Sequence, residues 1–262
     1  MKKTKILSLP FDTPDEIVDI LSGAVIFDSS SSPEARVYFI DKDEGYYLKA
    51  SESGSLNKEA LLTRYFHEKG LSSEVICYFS SGDRDILLTS RVAGDDLTAK
   101  KYLDEPKRLA RRLGEELRAL HETSFDGCPI ADRNKDYLAL ADQNFRSGIF
   151  DNSLDLQPFV YKSSDEAYKA LSQIRAELKS DVLLHGDYCL PNVIFNEWRL
   201  SGFIDLGGGG VGDRHIDLFW GAWTLKFNLK TDAYRNIFLD AYGRDRIDNE
   251  MLRGIAAAEC FG

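Results

Sequence analysis

The 262-residue sequence is poor in sulfur and in proline, with four cysteines, two methionines and seven prolines. Cys77, Cys128, Cys189 and Cys260 lie far apart and form no C-x-x-C pair. That spacing excludes a zinc ribbon or a disulfide framework, and four lone thiols point to a reducing compartment, the cytoplasm. Long apolar runs are missing too. No window approaches the roughly 18 residues of a membrane span. The apolar stretch behind the basic MKKTK stops at Pro10, too short for a secretory signal. Positive charge is in deficit, with 33 Lys and Arg against 43 Asp and Glu, a formal net charge of -10. Such a surface repels nucleic-acid phosphates and anionic lipid and attracts small cations, so neither nucleic acid nor membrane is expected as a partner. There is no internal repeat, and low complexity is confined to the serine run at 29–32.

What remains is the composition of a globular protein, 43% hydrophobic and 29% charged, with more chain than one small core requires. The first ninety residues read as strands around one helix. ARVYFID (35–41) and YYLKAS (46–51) flank KDEG, a hairpin signal. NKEALLTRYFHEKG (57–70) places Ala60, Leu61, Leu62, Tyr65 and Phe66 on one stripe. EVICYFSS and DILLTSRV form a second strand pair. VAGDDL (92–97) has no periodicity and marks a linker. Beyond it, helical patterns occupy 106–123, 133–147, 164–178, 213–228, 232–242 and 248–259, interrupted by the apolar runs VLL, VIF and GFI. The expectation is an α+β chain: a small β-rich lobe at 1–91, a linker at 92–97 and a larger helical lobe at 98–262.

The chemistry gathers in HGDYCLPNVIFNEWRLSGFIDLGGGGVGD, residues 185–213. A phosphoryl-transfer site needs a carboxylate that orients the acceptor hydroxyl and takes its proton, together with oxygen ligands for Mg²⁺ on the nucleotide phosphates. Protein kinases carry these on H-R-D-x-x-x-x-N and a later Asp-Phe-Gly turn. Here the order is His185-Gly-Asp187, four residues, Asn192, a hairpin, then Asp205-Leu-Gly207. HGDYCLPN and IDLGGGGVGD resemble the aminoglycoside phosphotransferase family, a protein-kinase-like superfamily with H-G-D-x-x-x-x-N followed by I-D-x-G-x-x-G-x-x-D. GFIDLG with LPN is most similar to its 3′-phosphotransferase branch. The resemblance runs over nearly the whole chain and is sharpest from 183 to 217.

That resemblance implies a bilobal protein-kinase-like fold and transfer of the γ-phosphate of ATP or GTP, with Mg²⁺, to an aminoglycoside hydroxyl, the 3′-hydroxyl in that branch. It gives Asp187 the look of the catalytic base and Asn192 and Asp205 that of the metal ligands, while His185 supports the loop. Asp217, in RHIDLFW, is expected to hydrogen-bond the loop backbone from a helix. A kinase-like fold also needs a strand lysine on the phosphates and a helix glutamate to fix it; Lys49 and Glu59 stand at those positions. Tyr47 is the candidate for stacking on the base, Ser90 and Val92 for backbone bonds to it, and Ser31 and Ser32 for covering the phosphates. For a cationic acceptor, Asp151, Asp155, Glu259 and Phe261 are the candidates.

Gly207, Gly209 and Gly212 also satisfy G-x-G-x-x-G, the dinucleotide fingerprint. Only about fifty residues follow, too few for the remaining units of a Rossmann domain. These glycines are expected instead to give a metal-binding turn access to positive φ. Three departures from the family bear on the acceptor. Gly208 stands where an Arg is usual. The helix after Asp217 carries Trp220, Trp223, Lys226 and Lys230 where relatives carry carboxylates. The chain also runs one glycine past the terminal aromatic. A kinase of another small alcohol, such as a sugar, choline or an amino alcohol, is therefore an alternative. A metal hydrolase built on His185-x-Asp187 and His215-x-Asp217 is another. A non-enzymatic nucleotide-binding regulator would have lost a key group, yet Lys49, Glu59, Asp187, Asn192 and Asp205 are all present.

Overall fold

The computed structural model describes residues 3–30, 35–154 and 158–262. Contacts divide the chain into two units, one running to Gly94 and including Ser201–Gly207, the other comprising Asp95–Leu200 and Gly208–Gly262. The short segment 201–207, which carries Asp205, thus belongs to the N-terminal unit although it lies far along the sequence.

The first unit is built on an antiparallel sheet. Its strands are β1 (Thr4–Ile6), β2 (Val25–Asp28), β3 (Arg36–Asp41), β4 (Tyr46–Glu52), β5 (Val75–Ser81) and β6 (Arg84–Ser90), in the order β1-β2-β3-β4-β6-β5. Helix α1 (Val18–Leu21) lies between β1 and β2, and α2 (Asn57–Glu68) between β4 and β5. Alternation along β4 separates its two faces. Leu48 and Ala50 join Ile17, Ile26, Tyr38, Ile40, Ile86 and Leu88 in the main core of this unit. Lys49 points the other way, opposite Val37 and Leu87 in the ladder. Leu87 packs with Leu56 and Ala60, which brings α2 onto the lysine face. The buried Asp85 carboxylate accepts from the Leu56 amide at 2.9 Å and from the Tyr78 hydroxyl at 3.0 Å. It thereby satisfies a backbone donor that the start of α2 would otherwise leave unpaired.

The second unit is mainly helical. Its elements are β7 (Asp95–Asp96), α3 (Lys100–Leu103), α4 (Pro106–Glu122), α5 (Arg133–Arg146), α6 (Ser164–Ile174), β8 (Val182–Leu184), β9 (Val193–Asn196), β10 (Arg199–Phe203), β11 (Gly210–Gly212), α7 (His215–Leu229), α8 (Arg235–Tyr242) and α9 (Asn249–Ala258). Strand β10 starts here and hands the chain to the first unit at Ser201. Helix α4 opens on Pro106, whose missing N–H costs nothing in a first turn, and buries Leu109, Leu113, Leu117 and Leu120 along one stripe. Side-chain caps start α5 (Asp132), α6 (Ser163) and α9 (Asp248). Within 92–97, read as an irregular linker, Asp95 and Asp96 form a short strand paired with Phe195 and Ile194 of β9. Strand β8 pairs with β11, which anchors the glycine-rich stretch behind the HGD loop. No helix among the described residues is long and apolar enough to cross a membrane.

Candidate active site

In the first unit three sequence-distant charges meet. The Lys49 ammonium donates to Glu59 Oε2 at 2.7 Å and to Asp205 Oδ1 at 2.8 Å. Burial alone would pull the lysine down, but the two carboxylates outweigh it and hold its pKa above the ordinary value, so Lys49 is a fixed cation. Glu59 is almost enclosed, with 11% of its side chain exposed, whereas Asp205 keeps 50%. The glutamate is the enclosed partner and the aspartate the solvent-facing one. Asp205 sits at φ 59°, a left-handed conformation that a short polar residue tolerates better than most.

The other nucleotide-side candidates divide. Tyr47 projects from β4 with its ring centroid 5.2 Å from that of Phe39. The Ser90 amide donates to Glu74 O at 2.9 Å and its hydroxyl accepts from the Glu74 amide at 3.0 Å, which leaves its carbonyl as the backbone group for a base. Both groups are spent in the sheet edge, and the Arg91 amide is likewise bound to Gly45 O. The Val92 amide has no such bond among the described residues. Ser31 and Ser32 lie outside the described residues.

In the second unit the HGD loop follows β8. The Asn192 amide nitrogen donates to Asp187 Oδ2 at 2.8 Å and to the Asp187 carbonyl at 3.0 Å. Both partners can only accept, so the NH₂ group must face them, and Asn192 Oδ1 is turned away as a free oxygen donor. The Asp187 amide donates to His185 Nδ1 at 3.3 Å. Behind the loop lies Asp217, fully buried, accepting from the His185 amide at 2.8 Å and from the Gly186 amide at 2.7 Å. Its carboxylate is in turn 3.2 Å from His121 Nε2, and His121 Nδ1 is 2.9 Å from the Tyr242 hydroxyl. The far side of the loop is pinned by the Leu190 amide on Thr224 Oγ1 at 3.1 Å and by the Tyr188 hydroxyl on Leu113 O at 2.9 Å. Cys189, two residues from Asp187, has its thiol pushed up by burial, which disfavours the thiolate.

The glycine stretch serves close approach more than unusual backbone angles. Of Gly207 to Gly212 only Gly210 has positive φ, which differs from the sequence expectation. A Cβ on Gly186 would stand 1.9 Å from the Gly208 carbonyl oxygen, so the two backbones touch because neither carries a side chain. Segment 130–134 forms a template for the stretch. Ile130 O accepts from the Val211 amide at 2.8 Å, Asn134 Oδ1 from the Asp213 amide at 3.0 Å, and Arg133 Nε donates to Gly208 O at 2.7 Å.

Among acceptor candidates, Glu259 is enclosed and takes a 2.6 Å hydrogen bond from the Tyr137 hydroxyl. Burial raises its pKa to about 7; the Tyr137 bond and the Arg133 charge oppose the rise, while the Asp187 charge adds to it. The Trp220 side chain opposes the rise as well. Phe261 is corrected from acceptor contact to packing anchor: it is fully buried, with ring centroids of Phe145, Phe150 and Tyr168 between 5.8 and 6.1 Å away. Asp151 is exposed and closes its own turn by accepting from the Ser153 amide at 2.7 Å. Asp155 lies outside the described residues. His121, Arg133, Tyr137 and Thr224 were not singled out from the sequence.

The donor chemistry suits a hard cation. Asn192 Oδ1 in the second unit and the half-exposed Asp205 carboxylate in the first are each an oxygen donor of the kind Mg²⁺ accepts. The hydrolase alternative fits badly. Among the described residues no group of three or more His, Cys, Asp or Glu could hold a metal ion. Both ring nitrogens of His215 are spent, on Asp213 at 2.6 Å and on the Asp248 amide at 3.0 Å.

The sequence profile of the phosphotransferase enzyme family matches residues 30–255. A probable aminoglycoside 3′-phosphotransferase of Lactococcus lactis subsp. lactis (strain IL1403) is 49% identical over 250 residues, covering 95% of this chain and 95% of the relative. The crystal structure of an aminoglycoside-3′-phosphotransferase of type VIII matches with a TM-score of 0.70 at 22% identity, over 95% of this chain and 100% of that one. Aminoglycoside phosphotransferase APH(3″)-Id from Streptomyces rimosus, solved with ADP and streptomycin, matches with a TM-score of 0.71 at 19% identity, over 86% and 90% of the two chains. Those two likenesses establish an α+β, kinase-like fold.

Proposed function

This chain belongs to the phosphotransferase enzyme family, and on that premise we propose that it moves the γ-phosphate of ATP or GTP to the 3′-hydroxyl of an aminoglycoside. The observation that carries the proposal is the Lys49–Glu59–Asp205 cluster. A buried glutamate fixes the lysine, and an exposed aspartate shares it, as a phosphate clamp requires. The first unit takes the nucleotide and the second the acceptor. Lys49 binds phosphate oxygens; Glu59 keeps the ammonium in place. Asp187 orients the acceptor hydroxyl and receives its proton, with its free oxygen selected by the Asn192 bond to Oδ2. Asn192 and Asp205 would hold Mg²⁺, which when bound neutralises charge on the transferred phosphate. Glu259, within electrostatic reach of Asp187, is the candidate carboxyl for an ammonium group on the acceptor, since a cation there would stabilise its ionised form. We place the enzyme in the cytoplasm, where the nucleotide is available and the four free thiols persist.

The second acceptor class, a sugar, choline or amino alcohol, is favoured by α7, which presents half-buried Trp220, Trp223 and Lys226 rather than carboxylates. A coupled nucleotide-consumption assay across aminoglycosides, simple sugars and choline separates the two. Asp187→Asn is expected to lower kcat by about 10²–10⁴ with nucleotide affinity within about twofold, because the base acts on the acceptor. Wild-type turnover in that variant would remove Asp187 from the mechanism.

A further inference from the structure

The glycine turn behind Asp205 reads GGGGVG and contains no cation of its own. One arrives from elsewhere. Arg133 is the first residue of α5, where the positive end of the helix dipole makes a cation unfavourable. Its Nε nevertheless donates to Gly208 O at 2.7 Å, across 75 residues of sequence. Gly208 is the residue whose backbone touches Gly186, in the loop that carries Asp187. The guanidinium carbon also lies 5.7 Å from the Tyr137 ring centroid, and Tyr137 donates to Glu259.

Resting on the function proposed above, we infer that Arg133 is a positioning residue for phosphotransfer, clamping the Gly208 carbonyl so that the turn seats Gly186 and thereby fixes Asp187. A carbonyl held by a planar Nε–H cannot rotate without breaking the bond, and the rigid fork of arginine fixes direction as well as distance. With the clamp in place the Gly186–Gly208 contact has one registration. Without it, the turn keeps the Val211 and Asp213 amide bonds but loses the one that acts at Gly208 itself. The same guanidinium has a second effect at longer range: its charge opposes the upward shift of Glu259. Glu259 is faced by Arg133 and Tyr137 from α5, by Asp187 from the loop, by Trp220 from α7 and by Cys260 on its own turn.

Three variants separate these contributions. Arg133→Met removes the bond and the charge, Arg133→Gln keeps a neutral donor, and Arg133→Lys keeps the charge without the planar Nε. Hydrogen–deuterium exchange of the full chain tests the clamp independently of any activity. Peptides covering 185–188 and 208–211 are expected to exchange at least about fivefold faster in Arg133→Met, with the rest of α5 unchanged. In kinetics corrected for folded fraction, Arg133→Met and Arg133→Lys are expected to lose about 10- to 100-fold in kcat, the scale of small misplacements of a reacting group, with nucleotide KM unchanged. The pH limb governed by Glu259 moves to higher pH in Arg133→Met and Arg133→Gln and stays in place in Arg133→Lys. Unchanged exchange at 185–188 in Arg133→Met overturns the clamp, as does a wild-type kcat and pH profile in a folded Arg133→Met. A wild-type chain that phosphorylates no hydroxyl acceptor would refute the proposed function instead, while exchange would still decide on the clamp.

Discussion

Replacing Asp217 by Asn tests how the HGD loop is held. The native carboxylate is fully buried and accepts the His185 amide on Oδ2 and the Gly186 amide on Oδ1, with His121 also on Oδ2. An asparagine has one accepting oxygen. Whichever way the amide is turned, one of the two loop N–H groups faces an NH₂ donor and stays unpaired, and the other loses its charge-assisted partner. Losing a bond to a charged acceptor costs about 1.5–3 kcal/mol, and a buried unpaired donor about 1–3 kcal/mol. The two overlap, so the net expectation is about 2–4 kcal/mol. For a chain of this size that corresponds to a fall of roughly 5–15 °C in Tm. In calorimetry the fall belongs to the transition of the unit containing α7, since a two-unit chain can melt in more than one step. Steady-state kinetics should show kcat reduced about 10- to 100-fold with nucleotide binding unchanged, because the loop carries Asp187. His121→Ala, which leaves both loop amides paired, should cost less on each measure. A Tm within about 2 °C of wild type together with unchanged kcat would refute this account.

Glu259 makes stability depend on pH in an unusual direction. Its ordinary pKa is 4.5 and its folded value about 7. Between those values the folded chain keeps a proton that the unfolded chain has released. The contribution is therefore complete below about pH 4.5 and is lost as pH rises through about 7. Glu259→Gln should remove roughly 3 kcal/mol of that decline, seen as a flatter Tm against pH between 5 and 8. Lys49→Met should be more destabilising than the double variant Lys49→Met/Glu59→Gln in chemical denaturation, since the single change strands a buried carboxylate. Asp205→Ala should weaken binding of Mg²⁺-nucleotide by about tenfold or more in titration calorimetry, given a charged oxygen ligand lost from a site with few protein ligands; unchanged affinity would count against its role.

Much of the fold was legible because its periodicities are local. The helices read at 57–70 and 106–123 are Asn57–Glu68 and Pro106–Glu122, and the two strand pairs read from the sequence are β3–β4 and β5–β6. Strands β1 and β11 were not legible. TKI is too short to show alternation, and GVG has no strand propensity, its extended form being imposed by pairing with β8. The ordered Asp187, Asn192 and Asp205 were readable because one loop-hairpin-turn carries all three at fixed spacing. The groups that hold them were not. His121 reaches Asp217 across 96 residues and Tyr137 reaches Glu259 across 122, and neither lies in a local pattern that marks it. Ser90 was assigned to the base for its place at the strand end; its amide and hydroxyl are both engaged by Glu74 across the sheet edge, which the sequence did not show.

The contact between Gly186 and Gly208 has a consequence for how such a sequence can diverge. Each residue leaves the space the other's main chain fills, so a methyl group on the first has nowhere to go. A side chain at Gly186 would have to push the glycine turn away from the loop, and with it the backbone on which Asp187 is seated.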